Sequence, residues 1–152
     1  MKQLEIINPA TESLITTLTQ DDASSLSKKL QLLKAGQQDW KNIPLTDRIN
    51  IIKKFAELLL EEIEILAATL TDEVGKPLQQ SRNEVNGARS RIQWLTEHAE
   101  QYLSDEIMSK TDNMEERIAY EPLGIVCNIS AWNYPYLVGT NVFVPALLAG
   151  NA

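Results

Sequence analysis

The sequence predicts an α/β fold built in series: a β-hairpin, three helices, an exposed β-arm, then the first strand and helix of a parallel sheet. Three observations predict it. An apolar stripe at helical spacing runs from Ile49 to Leu70, a β-branched apolar run fills residues 124–129, and no charged residue follows Leu123. A charge pattern that stops at one point marks the passage from a solvated helical layer into a segment buried on both faces of a sheet.

The hairpin is read from Leu4–Ile7 and Leu14–Leu18, two β-prone runs either side of Asn8-Pro9-Ala10-Thr11. Proline and the Asn side chain favour a turn there. Thr19 followed three residues later by Asp22 fits a capping-box start, and Leu26, Leu30, Leu33 and Trp40 recur on one helical face until Pro44 closes the first helix. The second helix follows Thr46. Its stripe is Ile49, Ile52, Phe55, Leu59, Ile63, Leu66 and Leu70, with Lys53, Lys54, Glu57, Glu61, Glu62 and Glu64 mainly on the opposite side. Gly75 supplies the left-handed residue that ends it, and Pro77 suits the first turn of the third helix, which carries Val85, Ala88, Ile92, Leu95, Ala99 and Tyr102. The three helices span about residues 21–103.

Residues 104–121 change period and suggest two short strands around Thr111-Asp112-Asn113, an arm with a polar tip. "GIVCNI", 124–129, reads as a buried parallel strand, and a helix from about Tyr136 to Ala149, interrupted by Pro145, stops at Gly150. The expected divisions are therefore 1–103, 104–121 and 122–152.

Composition bounds the function. The 152 residues suffice for one domain with a core, or for a piece of something larger, and 43% hydrophobic with 23% charged residues is ordinary globular usage. Fourteen basic against twenty-one acidic residues give a net charge of −7, with no concentrated positive face, so no nucleic-acid partner is expected. One cysteine, Cys127, forms no internal disulfide, and the amino terminus has no apolar signal region, so a reducing, cytoplasmic setting is the expectation. The single histidine, His98, and that single cysteine exclude a dense Cys/His metal site. Asn128, Asn133 and Asn141 with Pro135 and Pro145 argue against a membrane-spanning reading of the uncharged tail, because amides and freed carbonyls are costly in hydrocarbon.

Within that tail, "SAWNYPY" at 130–136 stands where the strand would meet its crossover helix. Such turns lie on the ligand-binding edge of α/β sheets. An Asn there can donate its amide N–H to a substrate oxygen, and a donor preorganised towards a developing oxyanion lowers a barrier by roughly 3 kcal/mol. The alternative is structural: Trp132 as core and Asn133 as a tether of the turn. Cys127, in a strand expected to be buried and with no basic neighbour in sequence, reads as an inert core residue. His98, beside Glu97 and Glu100, reads as a surface residue.

The stretch from Glu121 to Ala152, "EPLGIVCNISAWNYPY...VPALLAGNA", closely resembles the aldehyde dehydrogenase superfamily. So do "NPAT" at 8–11, the acidic helix start near Asp22, Trp40 with Arg48, and "E-x-G-K-P" from Glu73 to Pro77. What the resemblance implies is NAD(P)-dependent oxidation of an aldehyde to a carboxylic acid on a Rossmann-like fold. Asn133 would donate its side-chain amide to the thiohemiacetal oxygen, and the backbone around Ile129, Ser130, Ala131 and Trp132, with Asn133, would line the NAD or NADP cleft. Ala131 stands where the family usually has proline, which loosens that turn.

The nucleophilic cysteine, the glutamate base and the glycine-rich loop of the family have no counterpart in these 152 residues. The resemblance therefore implies an incomplete, amino-terminal part, inactive by itself, whose parent forms a homo-oligomer through the 104–121 arm. A rival reading makes the chain a non-enzymatic interaction module that adds the arm to a partner sheet.

Overall fold

A computed structural model describes residues 2–152. The first element is the expected hairpin: β1 (Gln3–Ile7) pairs antiparallel with β2 (Leu14–Thr19), Gln3 opposite Thr19 and Leu4 opposite Leu18. Asn8 builds its turn. The side-chain oxygen accepts from the N–H groups of Ala10 (2.9 Å) and Thr11 (3.1 Å), while Nδ2 donates to Asp72 at 3.3 Å. The same turn meets Gly75, which ends a helix at φ 76° with Pro9 packed so close that a Cβ would lie 3.1 Å from its ring. Both the left-handed backbone and the close approach require glycine.

Helix α1 (Ala23–Trp40) starts three residues later than the Thr19–Asp22 box would have it. Thr19 is spent in β2, and the box is formed by Asp22 and Ser25: Ser25 N–H donates to Asp22 Oδ1, and Asp22 N–H to Ser25 Oγ, both at 2.9 Å. The helix ends at Trp40, and Pro44 opens the next helix instead of closing this one. Leu26, Leu30 and Leu33 stay exposed because no described element packs along them. The helix is held by its last turns, where buried Gln37 Nε2 donates to Gly150 O (3.1 Å) and Trp40 Nε1 to Leu147 O (2.8 Å).

The second expected helix is two: α2 (Leu45–Glu61) and α3 (Ile63–Val74), so four helices precede the arm instead of three. Glu62, at φ −98° and ψ 12°, marks the break. No proline or glycine causes it. Both halves pack on α4 (Leu78–Leu103), and the bend keeps the stripe from Ile49 to Leu70 in contact with it along its length. The core lies where Ile49, Ile52 and Leu59 of α2 and Ala67 and Leu70 of α3 meet Val85, Ala88, Ile92 and Ala99 of α4. Helix α5 (Pro135–Leu148) adds Val144 and Leu148 from the other side, and Phe143 meets Phe55 edge-on at 5.8 Å. Pro145 lies within α5 without interrupting it, since it falls in the last turn and removes a single N–H donor.

The arm is as expected: β3 (Glu106–Lys110) pairs antiparallel with β4 (Glu115–Ile118), every residue exposed. The segment after it departs from expectation. Residues 119–131 form no regular strand, Cys127 is exposed instead of buried, and Trp132, at 83% exposure, is not core. The reason is the lack of partners: a parallel strand is buried by its neighbours, and only one residue provides a neighbour here. Ala152 N–H donates to Gly124 O (2.9 Å) and Val126 N–H donates to Ala152 O (2.8 Å), the exchange that brackets Ile125 in a parallel pair.

That pairing is set by the Gly150-Asn151 corner. Gly150, at φ 87°, sits so tightly that a Cβ would meet Arg48 at 3.1 Å, with Lys41 and Pro122 each at 3.5 Å. Buried Asn151 accepts from Gly124 N–H at 2.8 Å and donates through Nδ2 to Ala146 O at 3.1 Å. The end of α5 is thereby clamped to the start of the 124–131 segment. The α/β architecture thus consists of two antiparallel hairpins, a helical layer centred on α4, and the first contact of a parallel pair. Among the described residues, no helix is long and apolar enough to cross a membrane.

Candidate functional site

The turn of interest lies between the irregular 119–131 segment and the first turn of α5. Tyr134, at φ −141° and ψ 59°, is the residue before the helix, and Pro135 is its first helical position, where a missing N–H costs nothing. The next two N–H groups, of Tyr136 and Leu137, have no acceptor within the helix. Glu84 supplies one from α4. Its Oε1 accepts from Tyr136 N–H at 2.9 Å and from Leu137 N–H at 3.4 Å. A carboxylate is the group that the positive end of a helix favours.

Glu84 is 3% exposed, and its second oxygen pairs with Lys76, whose own side chain is nearly buried. The Lys76 ammonium also stands 3.5 Å above the centre of the Tyr134 ring. Tyr136 OH donates to Leu66 O at 3.2 Å, and burial, then the carboxylates of Glu73 and Glu84, push the Tyr136 phenol above its usual range. On the upstream side Ser130 Oγ donates to Asn128 Oδ1 (2.8 Å), and Asn128 Nδ2 reaches Gly139 O at 3.4 Å. The residues flanking the Trp132-Asn133 pair are therefore tied down on both sides.

The pair itself is free. Asn133 is exposed, and its side chain enters no hydrogen bond among the described residues. The five residues expected at the cofactor cleft are consecutive and mostly open to solvent: Ile129 (92% exposed), half-buried Ser130, exposed Ala131, Trp132 and Asn133. Cys127 is a free, exposed thiol. His98 is half-buried, stacked 4.4 Å from Trp94, with Nδ1 2.8 Å from Trp94 O. Among the described residues, no cluster of His, Cys, Asp and Glu is placed to hold a metal ion. A separate groove between α2 and α4, lined by Lys53, Glu57, Arg89 and Gln93, does not include the turn.

Sequence reasoning missed Glu84 and Asn151. A signal existed for the first: Glu84 stands among Ser81, Val85, Ala88 and Ile92, a charge on the buried face of a helix. A charge on that face needs a partner. Asn151 lies in the "VPALLAGNA" stretch, but its clamping role gave no signal, because its partners Gly124 and Ala146 carry no mark in sequence.

Known proteins resemble this chain along nearly its whole length. The profile described as Aldehyde dehydrogenase family matches residues 1–152. The 3,6-anhydro-alpha-L-galactose dehydrogenase of Vibrio sp. (strain EJY3) is 34% identical over 149 residues, which is 97% of this chain and 31% of that protein. A probable succinate-semialdehyde dehydrogenase [NADP(+)] of Synechocystis sp. is 33% identical over 95% of this chain and 32% of its own length. Among solved structures, aldehyde dehydrogenase from Brucella melitensis biovar abortus 2308 superposes with a TM-score of 0.92 at 26% identity, covering 99% of this chain and 31% of that one. The structure of 3,6-anhydro-L-galactose dehydrogenase in complex with NAP gives 0.90 at 29% identity, covering 99% and 32%. The chain spans just under a third of the length of these relatives. A match over every residue, with the Trp132-Asn133 turn at the head of α5 and the Gly150-Asn151 corner at its end, makes this chain a member of the aldehyde dehydrogenase family.

Proposed function

We propose that this chain supplies the amino-terminal part of an NAD(P)-dependent enzyme that oxidises an aldehyde to a carboxylic acid. The observation that carries the reading is Asn133: an exposed side-chain amide without a hydrogen-bond partner among the described residues, at the head of a helix whose first turn is fixed. An exposed amide on a turn whose neighbours are held is open to a substrate oxygen, the group an oxyanion donor meets. When a cysteine thiolate adds to the aldehyde carbon, the carbonyl oxygen takes the electron pair and Asn133 Nδ2–H donates to it. A bound NAD or NADP would supply the hydride acceptor, and Ile129, Ser130, Ala131, Trp132 and Asn133 would line its cleft. Water then releases the acid from the thioester.

In this reading 1–103 and 122–152 belong to the cofactor-binding side, and 104–121 is an oligomerisation arm. The setting is cytoplasmic. By itself the 152-residue chain is expected to be inactive: its one cysteine, Cys127, precedes the turn in the 119–131 segment, and this reading gives it no role as nucleophile. Mixed with NAD⁺ or NADP⁺ and a panel of aldehydes including succinate semialdehyde, it is expected to give no NAD(P)H absorbance. A chimera that continues from Ala152 into the remainder of the Vibrio relative is expected to give it. Turnover by the chain alone, or an inert but folded chimera, would overturn the proposal.

The arm favours a second role as an interface. Every residue of β3 and β4 is exposed, Ile107, Met108 and Ile118 among them, and an open ribbon edge offers unpaired backbone groups to a partner strand. Size-exclusion chromatography with light scattering is expected to show a monodisperse oligomer of the chain; a monomer would remove this role.

A further inference from the structure

We propose that Glu84 is the positioning residue of the Trp132-Asn133 turn, acting as a helix cap supplied from a different helix. The inference rests on the reading of Asn133 as the amide donor and adds what holds that donor in place. Asn133 makes no hydrogen bond through its own side chain among the described residues, so what the protein fixes is the backbone that carries it. That backbone is held through the next four residues: Tyr134 lies beneath the Lys76 ammonium, and Tyr136 and Leu137 donate to the Glu84 carboxylate.

The arrangement is specific in three ways. A fully buried carboxylate is retained on the apolar face of α4, where an apolar residue would pack without a desolvation penalty. Both of its oxygens are used, one on the two N–H groups of α5 and the other on Lys76. Lys76 in turn touches the ring of Tyr134, the residue next to Asn133. The cap therefore couples the α4 core to the Trp132-Asn133 turn through Glu84, Lys76 and Tyr134.

Tyr136 and Leu137 give a direct test, because first-turn N–H groups of a helix have no acceptor of their own and their protection from hydrogen exchange depends on Glu84. In the 152-residue chain observed by NMR, both amides are expected to be protected. Unprotected Tyr136 and Leu137 in the unaltered chain would overturn the proposal with no variant needed.

Two double variants then separate capping from packing. Glu84→Gln with Lys76→Met keeps an acceptor oxygen and removes both charges, so protection at Tyr136 and Leu137 is expected to stay within about threefold. Glu84→Leu with Lys76→Met fills the space and removes the acceptor. There the two amides are expected to exchange at least about tenfold faster while Ile92 and Val144 amides of the core change little. The Trp132 and Asn133 backbone amide signals should shift towards unstructured values in the Leu variant alone. A uniform change at all amides, or an unmoved Asn133 signal, would reduce Glu84 to a structural residue. Should the Leu variant fail to fold, the Gln variant decides: folded with Tyr136 and Leu137 exposed, it overturns the cap. None of these readouts involves catalysis, so a failed role for Asn133 in the reaction would leave them unchanged.

Discussion

Glu84→Ala is expected to lower the stability of the folded chain by about 3–5 kcal/mol, the cost of breaking a buried ion pair by removing one partner. Two groups lose their compensation at once. The Lys76 ammonium, 10% exposed, is left without its carboxylate, and the N–H groups of Tyr136 and Leu137 are left without an acceptor. The midpoint of urea unfolding should fall sharply with an unchanged slope, because the surface exposed on unfolding is the same. Replacing both members by apolar residues should cost far less, since no lone charge is then buried. The exposed Arg82–Glu64 pair, although bidentate, serves as the contrast: solvent screens it, and Arg82→Ala should move the midpoint little. A Glu84→Ala loss below about 1 kcal/mol would mean that the pair contributes no more than a surface contact.

The second large effect is catalytic. In the chimera, Asn133→Ala is expected to lower kcat by about 10²–10³-fold, the range for removing one oxyanion donor. Stability should stay unchanged, because the Asn133 side chain is exposed and makes no hydrogen bond among the described residues. The KM for the aldehyde should change much less than kcat, since the donor meets full negative charge only after the thiolate has added. An unaltered kcat would remove Asn133 from the reaction. A loss of kcat accompanied by a loss of stability would recast it as the tether of the turn.

Both predictions concern one turn, and the sequence pointed to only half of it. The Trp-Asn pair stood out by its position between an apolar run and a proline, so Asn133 could be named from sequence. Glu84 lies almost fifty residues earlier and meets Tyr136 only once α4 and α5 have packed. The same division runs through the fold. Both hairpins and the ends of the helices at Gly75 and Pro135 arise from turn and cap chemistry within a few residues. The stripe from Ile49 to Leu70 was equally legible, but the break at Glu62 was not, because the bend answers to the course of α4 and to nothing in the local residues.

The apolar run at 124–129 shows the limit most clearly. Its composition is that of a strand buried on two faces, yet Cys127 and Ile129 are exposed and only Ile125 is bracketed by a partner, Ala152. Sequence alone determined which segments can be helix, hairpin or buried strand, and marked Asn133 as a candidate donor, since period, turn residues and side-chain chemistry are local properties. Tertiary structure decided where the long helix bends, which carboxylate caps α5 and which apolar residues are covered. Those outcomes depend on groups distant in the chain arriving within hydrogen-bonding or packing distance, and burial belongs to the neighbours as much as to the residue.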